Sequence, residues 1–537
     1  MPMSPTSPQA EGSAWVKALR PMLDRRVLAM SFLGFSAGIP LLLIFSSLSL
    51  WLREAGVDRG AVTFFSWAAL GYSFKFVWAP LIDRLPLPWL SRWLGRRRAW
   101  LLVAQVGMVG AILLMASIDP AQGQGNLSLM ALGAVLLGFT AATQDIVIDA
   151  YRIEVAETSL QAMMSATYIA GYRVGMVVSG AGALYLAAAL GSTAEHYVFS
   201  AWRWTYVAMA ATIMVGIATT LSIPEPPSSR GQDRRYGAVA YLRLVSVFAG
   251  AAAAFVAAFF LTGDEFSALN HWAGDGPLTA FLAETLRFLL AILAAGLSGW
   301  LLVRLGLVET GMARETWISP VLDFFNRYGP GTALLLLALI GLYRISDVVL
   351  VVISNVFYQD LGFTKHQIAT AVKTFGVIVS IAGGLVGGLM AARYGVMRIL
   401  MLGAILSAAT NLVFVWLAWA GNDATILYLA VAADNLAAGL ASAAFVAFLS
   451  SLTSVAFTAV QYAIFSSLMT LVPKVLGGYS GTLVGAIGYP AFFVFTTLIG
   501  VPVLLLVWLA GRHLLPSNSS GPPSAPPDAT RHARSGA

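Results

Sequence analysis

The chain has 537 residues, 58% of them hydrophobic and only 11% charged, with a formal net charge of +7 at pH 7 and no cysteine. A mean hydropathy of +0.79, with less than half the ~25% of charged residues usual in soluble domains, leaves too little polar surface for a soluble, disordered or nucleic-acid-binding protein. The missing cysteines exclude a disulfide frame, a thiolate metal site and a cysteine nucleophile.

Residues 1–26 open Pro/Ser-rich and end in Lys17, Arg20, Arg25 and Arg26, beside a full-length apolar run. That is the pattern of a tail, not of a cleavable signal. Runs of about 20 apolar residues, the length that crosses a bilayer, predict helices at 27–50, 61–82, 99–118, 127–148, 162–190 and 201–223. Two more follow at 243–262 and 279–303, then six at 332–357, 368–392, 397–419, 425–450, 457–486 and 490–510. The runs are continuous, not alternating, so an all-α polytopic membrane protein with fourteen transmembrane helices is expected and a barrel is excluded. Residues 512–537 are low-complexity and expected to be disordered. Most of the 32 basic residues fall on the side of the N terminus. The other side holds only Arg53, Arg59, Lys365 and the boundary residue Arg203. The positive-inside rule then puts both termini in the cytoplasm.

Residues 27–223 and 332–511 read as two copies of a six-helix unit, joined by 224–331 with its inserted pair of helices. The first span of each copy ends in a similar turn, WLREAGVDRGAV (51–62) and FYQDLGFTKHQI (357–368). Each copy then has a short basic loop after its second span. The first holds Asp83, Arg84, Gly95, Arg96 and Arg97; the second holds Arg393, Gly395 and Arg398. These loops resemble the Gly-x-x-x-Asp-Arg-x-Gly-Arg-Arg loop of the major facilitator superfamily, which pairs a carboxylate with a guanidinium beside a helix end and must open during transport. Three departures stand out. Ala79 replaces the first glycine, about ten residues are inserted after Arg84, and Ala392 replaces the second acid. Positive-inside anchoring alone would also account for the basic residues.

Ionisable groups inside spans cost about 2.5–3.5 kcal/mol each on insertion scales, so they are candidates for function. The cations are Lys75, Arg173, Arg344, Lys373 and Lys474; the anions are Asp145, Asp347 and Asp434. Lys75, Arg173 and Arg344 are expected to hold an anionic solute. Asp434, then Asp145, then Asp347, are the candidates for proton coupling. Arg344 and Asp347, three apart on one helix face, could instead neutralise each other, as could Glu284 and Arg287. Asp149 and Arg152, near the cytoplasmic end of their span, join Asp83, Arg84, Arg96, Arg97, Arg393 and Arg398 as expected gating residues. Small-residue pairs such as Gly383/Gly387 predict close helix packing. Pro40, Pro80 and Pro473 predict hinges, and Pro473-Lys474 is expected to break the long 457–486 run.

Taken together, GFSAGIPL (34–41), YSFKFVWAPLIDR (72–84), TQDIVIDAYRIE (143–154), GYRVGM (171–176) and DNLAAGLASAAFVAFLSSL (434–452) resemble the AmpG family of muropeptide permeases. That family is a bacterial inner-membrane branch of the major facilitator superfamily. The resemblance implies proton-coupled import of anhydromuropeptides (GlcNAc-1,6-anhydro-MurNAc with or without peptide) from periplasm to cytoplasm; a monomer without a cofactor is expected. It also implies a place in cell-wall recycling and an influence on β-lactamase induction. Tyr72, Tyr172, Gln144, Asn435 and Gln461 would then face the sugars. A looser version of the Gln-Asp motif occurs in acetyl-CoA transporters, so another anionic solute or a peptide stays open as the cargo. A membrane transferase is the alternative from another class, although all five histidines lie in expected loops or the tail and none has metal-binding spacing.

Overall fold

The computed structural model describes residues 24–57, 74–193, 196–227, 236–274, 277–477 and 480–514. Both terminal tails, most of the second expected span and Tyr72 lie outside them. Thirteen helices are long and apolar enough to cross a membrane, and each matches one of the predicted runs; the run at 61–82 is the one that falls largely outside the described residues. Every regular element among the described residues is helical.

In the first half, α1 runs Arg25–Leu42 and continues through a π-helical turn, Leu43–Ser47, into Leu48–Glu54. Its N-cap is Asp24, whose carboxylate accepts from the Arg26 backbone at 2.8 Å and is held below its usual pKa by the Arg26 guanidinium. A short 3-10 turn, Lys75–Val77, leads into α2, Ala79–Arg84, which carries Pro80 in its first turn. Then come α3 (Leu90–Leu94), α4 (Arg96–Ala116), α5 (Gln124–Val155), α6 (Thr158–Val177, prolonged to Ala189) and α7 (Phe199–Thr212 with Met214–Ser222). The inserted pair is α8 (Ala238–Leu261) and α10 (Pro277–Arg304), joined by α9 (Gly263–Trp272), and the amphipathic α11 (Ser319–Tyr328) leads into the second half. That half comprises α12 (Pro330–Leu342), α13 (Ile345–Asp360), α14 (Gly376–Tyr394), α15 (Val396–Ala420), α16 (Ala424–Leu452), α17 (Thr458–Gly477) and α18 (Ser480–Leu514).

The two halves repeat one packing pattern. First span meets fifth (α1 with α6; α12 and α13 with α17), third meets fourth (α4 with α5; α15 with α16), and third meets sixth (α4 with α7; α15 with α18). Both third spans are entered through a glycine with positive φ, Gly95 at 85° and Gly395 at 91°, a conformation only glycine adopts freely. The halves meet where α6 packs on α14 and α16, and where α17 packs on α2 and α5. The small residues act as expected: the α6–α14 seam brings Gly388 against Ala162 and Ala166, and Gly387 lies against the α16 backbone at Leu440.

One expectation changes. Helix α17 passes straight through Pro473 to Gly477. The break lies further on, and α18 itself is kinked at Gly488 (φ 76°), just before Pro490. A helix tolerates a proline whose freed carbonyl finds another partner, whereas a left-handed glycine redirects the chain outright. On α10, Arg287 donates to the Phe259 carbonyl at 2.8 Å and lies 4.0 Å over the Phe259 ring; the side chain of Glu284 lies outside the described residues.

A methyl group at Gly387 would lie 2.6 Å from Leu440 Cα. Gly387→Val is therefore expected to destabilise the second half by about 1–3 kcal/mol, while Gly485→Ala, with open space around it, stays near neutral; thermal melting of the purified protein compares them.

Candidate functional site

Two polar groups stand out, one at the end of the molecule that carries Asp83 and one at mid-span. At the first, α2 delivers Asp83 and α4 delivers Arg97 because Gly95 turns the chain just before Arg96. Arg97, 1% exposed, donates through Nη2 to Asp83 Oδ1 (2.7 Å), Glu154 Oε1 (2.5 Å) and Thr458 Oγ1 (2.7 Å). Thr458 also donates to Glu154. The Asp83 carboxylate further accepts the backbone N–H groups of Ala459 (3.2 Å) and Val460 (2.9 Å). It thus satisfies two orphan donors in the first turn of α17, on the opposite half, where the helix dipole also favours an anion. Arg96 donates to the Asp83 carbonyl at 2.5 Å. Glu225 accepts from the Arg97 and Arg98 N–H groups at 2.8 and 3.1 Å and so caps α4.

Next to this cluster, Arg84 pairs with Glu315 at 3.7 Å and lies over the Phe457 ring. Gln461 is held in the same region. Its amide donates to the Pro320 carbonyl and to Asp323, and accepts from Arg327 and the Ser454 N–H. It therefore fixes the linker helix α11 to α17 and lies apart from the mid-span group into which the sequence placed it. In the second half, Arg393 lies over the Tyr394 ring and Arg398 is exposed; neither joins the Asp83 cluster.

The mid-span group begins one step inward. Asp149 bridges Lys75 (3.5 Å) and Arg152 (3.1 Å). Arg152, fully buried, donates to Ser165 in its own half and Ser450 in the other, both at 2.7 Å, and sits 5.1 Å over the Tyr462 ring. One turn before Asp149, Asp145 accepts from Tyr168 at 3.4 Å and lies in the field of Lys75. Gln144 accepts from Ser36, and its buried Nε2 has no partner. In the second half, Arg344 pairs with Asp347 at 3.1 Å and donates to Ser442 at 2.6 Å, the self-neutralised arrangement that their spacing allowed. Asn435 turns back to its own helix, donating to the Val431 carbonyl at 2.9 Å.

Two of these ions stand apart. Among the described residues, Arg173, beside Tyr172 on α6, makes no hydrogen bond or ion pair; the charge it feels most is that of Arg344 across the interface between the halves. Asp434 on α16 likewise has no bonded partner and lies in the field of Asp347 and Arg344. The side chains of Lys373 and Lys474 lie outside the described residues. Sequence reasoning left Thr458, Ser450, Glu225 and Glu315 out of the site altogether. Only TQDIVIDAYRIE carried a usable signal for Glu154, as a charge at the end of a span.

Every described hydrogen bond between the halves lies at the Asp83 end or just inward of it, at Arg97, Asp83, Glu154 and Arg152. None joins them at the opposite end among the described residues.

The chain is similar to known proteins. The family model Major Facilitator Superfamily matches residues 333–535 and that of Acetyl-coenzyme A transporter 1 matches residues 27–213. Transporter AmpG 4 of Rickettsia felis is 30% identical over 90% of this chain and 96% of its own length. The anhydromuropeptide permease of Escherichia coli is 28% identical over 92% of this chain and 82% of its own. Among solved structures, the proton:xylose symporter XylE covers 93% of the chain (and 96% of its own) with a TM-score of 0.54 at 13% identity. The human organic anion transporter MFSD10 covers 90% of the chain (and 99% of its own) with a TM-score of 0.52, also at 13% identity. These two likenesses establish the all-α fold.

Removing Arg97 leaves Asp83 and Glu154 buried without a base, which typically costs about 3–5 kcal/mol. Arg97→Met is expected to lower the melting temperature and to speed maleimide labelling of an Ala459→Cys reporter, which is buried in the native packing. Labelling at the native rate would show that the cluster does not hold the halves together.

Proposed function

The chain belongs to the AmpG family of the major facilitator superfamily, a multi-pass inner-membrane transporter and not an enzyme, and on that premise we propose that it imports anhydromuropeptides from periplasm to cytoplasm with protons, as a monomer. The observation that carries the reading is the pair of unpartnered ions. Lipid rejects a bare guanidinium, so Arg173, facing Arg344 across the interface, marks a position that a solute carboxylate would satisfy with a charge-assisted hydrogen bond. Muropeptides carry such carboxylates. Tyr172, Gln144 and Tyr168 would meet the sugars in this reading.

Asp434 is the coupling acid in this reading. Among the described residues it has no fixed counter-ion, so its charge can come and go with the conformation, whereas Asp347 is tied to Arg344 and Asp149 to Lys75 and Arg152. Asp145, whose one bonded partner is a tyrosine hydroxyl, is the second choice. The Asp83–Arg97–Thr458 cluster is the cytoplasmic gate, and its closed state leaves access from the periplasm. Arrival of solute and proton would rock the halves so that Asp83 releases α17 and the chamber opens inward. Both termini are cytoplasmic in this arrangement, and the cargo enters cell-wall recycling and β-lactamase induction. The match of residues 27–213 to the acetyl-coenzyme A transporter family supports a second reading, in which another anionic solute occupies the same cations.

Complementation of a permease-deficient strain, scored by periplasmic accumulation of anhydro-disaccharide, tests the cargo; failure with normal membrane expression favours the second reading. Arg173→Gln is expected to cut uptake by roughly 10–100-fold, the worth of one charge-assisted hydrogen bond, whereas Arg304→Gln on the exposed inserted helix leaves it within about twofold. In proteoliposomes, uptake follows an imposed pH gradient and collapses with protonophore, and Asp434→Asn abolishes that dependence. Uptake indifferent to the gradient in the native protein removes proton coupling from the proposal.

A further inference from the structure

The ten-residue insertion that separates Arg84 from Gly95 is not used by the transport mechanism above. Its structure is nonetheless specific. The chain leaves α2, turns at Trp89 and forms α3 (Leu90–Leu94) before entering α4. Trp89 has φ 68°, the one positive value at a non-glycine among the described residues. Holding a bulky residue there costs about 1–3 kcal/mol and persists only where the surroundings impose it. They do so here. Trp100 Nε1 donates to the Leu85 carbonyl and the Leu87 N–H to Ser91 Oγ, both at 2.9 Å, and Ser91 is buried.

What this strained turn displays is aromatic and basic. Trp89 is 81% exposed and Trp93, one helical turn on, is 87% exposed, with exposed Arg92 between them. The stretch 84–98 holds five arginines and no acid. A soluble surface would not present two bare indoles. A membrane–water interface favours them, with the ring among the headgroups and the N–H in water. The level is right: α4, a membrane span, begins at Arg96, two residues after α3 ends.

We propose that Pro88–Trp93 docks on the bilayer surface at the Asp83 end, with Trp89 and Trp93 seated in the headgroup layer and Arg92 on the phosphate of an anionic lipid. Local chemistry decides for a lipid surface over a second protein: Arg84 and Arg97 are already held by Glu315, Asp83 and Glu154, whereas the exposed Arg92 between two exposed indoles complements an anionic headgroup layer. The segment is bounded by Asp83 on one side and Arg97 on the other. Docking therefore holds the loop that keeps these two partners together, and bilayer charge becomes an input to the gate. The docking itself requires only that the chain spans a membrane and is independent of the cargo.

The native chain has no cysteine, so Trp93→Cys and, as a second reporter, Trp89→Cys can each carry an environment-sensitive nitrobenzoxadiazole label. The full chain goes into nanodiscs of phosphatidylcholine with or without phosphatidylglycerol. The label is expected to be quenched by lipids spin-labelled near the headgroup, more by phosphatidylglycerol than by phosphatidylcholine carriers, and shielded from aqueous iodide. Arg92→Ser should reduce that preference by up to about fivefold, the worth of one arginine at an anionic surface. Free quenching by iodide in every lipid overturns the proposal, because the segment is then in water. Shielding from both iodide and spin-labelled lipid also overturns it, in favour of a protein partner. For the gate, the double variant Trp89→Ser/Trp93→Ser should speed labelling of Ala459→Cys in phosphatidylglycerol discs; an unchanged rate rejects the link between docking and gate.

Discussion

One buried carboxylate anchors the polar contact between the two halves. Asp83 accepts from a guanidinium in its own half and from two backbone N–H groups at the start of α17 in the other. A lone buried ion pair adds little net stability, because desolvation offsets most of its Coulomb gain. Here the carboxylate also completes a helix terminus that would otherwise keep orphan donors. The cluster therefore specifies one docking geometry without making it deep. That balance suits a contact that forms and dissolves in the proposed cycle: hydration can replace each of its hydrogen bonds when the halves part.

The repeat is broken where this contact falls. In the first half the loop after the second span carries Asp83, Arg96 and Arg97. At the matching place in the second half Ala392 stands where the acid would be, Arg393 rests on Tyr394 and Arg398 is exposed. The matching seam is made instead by Gly388 against Ala162 and Ala166. One side of the interface is thus a charged clasp with fixed geometry, the other a smooth contact of small residues that can slide without breaking a polar bond. In the proposed cycle the clasp decides when the halves separate and the smooth seam serves as the surface on which they move.

The spans were legible because a bilayer imposes one simple demand, about 20 apolar residues each, that any reading of the chain can apply. The Asp83 loop was legible because its members are close in sequence. The pair Arg344–Asp347 was legible because three residues along a helix bring side chains together. Pairings across the fold left no such trace. Nothing in residues 458–468 announces that two backbone N–H groups complete the Asp83 carboxylate, that Thr458 donates to Glu154, or that Gln461 turns to α11. Lys75 looked like a free intramembrane cation and proves to share Asp149 with Arg152. The misplaced break near Pro473 has the same origin. Local propensity identifies a weak point, yet the helix runs on through Pro473 to Gly477, and the kink falls at Gly488 in the next helix.

Pairing, more than position, separates scaffold from site in this molecule. Lys75, Asp149, Arg152, Arg344 and Asp347 are all intramembrane ions, yet each already has an opposite charge within about one hydrogen-bond length, so each is compatible with a fixed structure. Among the described residues, Arg173 and Asp434 are not in that position. They have opposite charge and sit on different halves, and neither neutralises the other by direct contact. A rigid protein would have no reason to keep such ions apart at a cost of a few kcal/mol each. A carrier would: in the proposed cycle an unpaired cation would give the solute its affinity and an unpaired acid would give the proton its leverage.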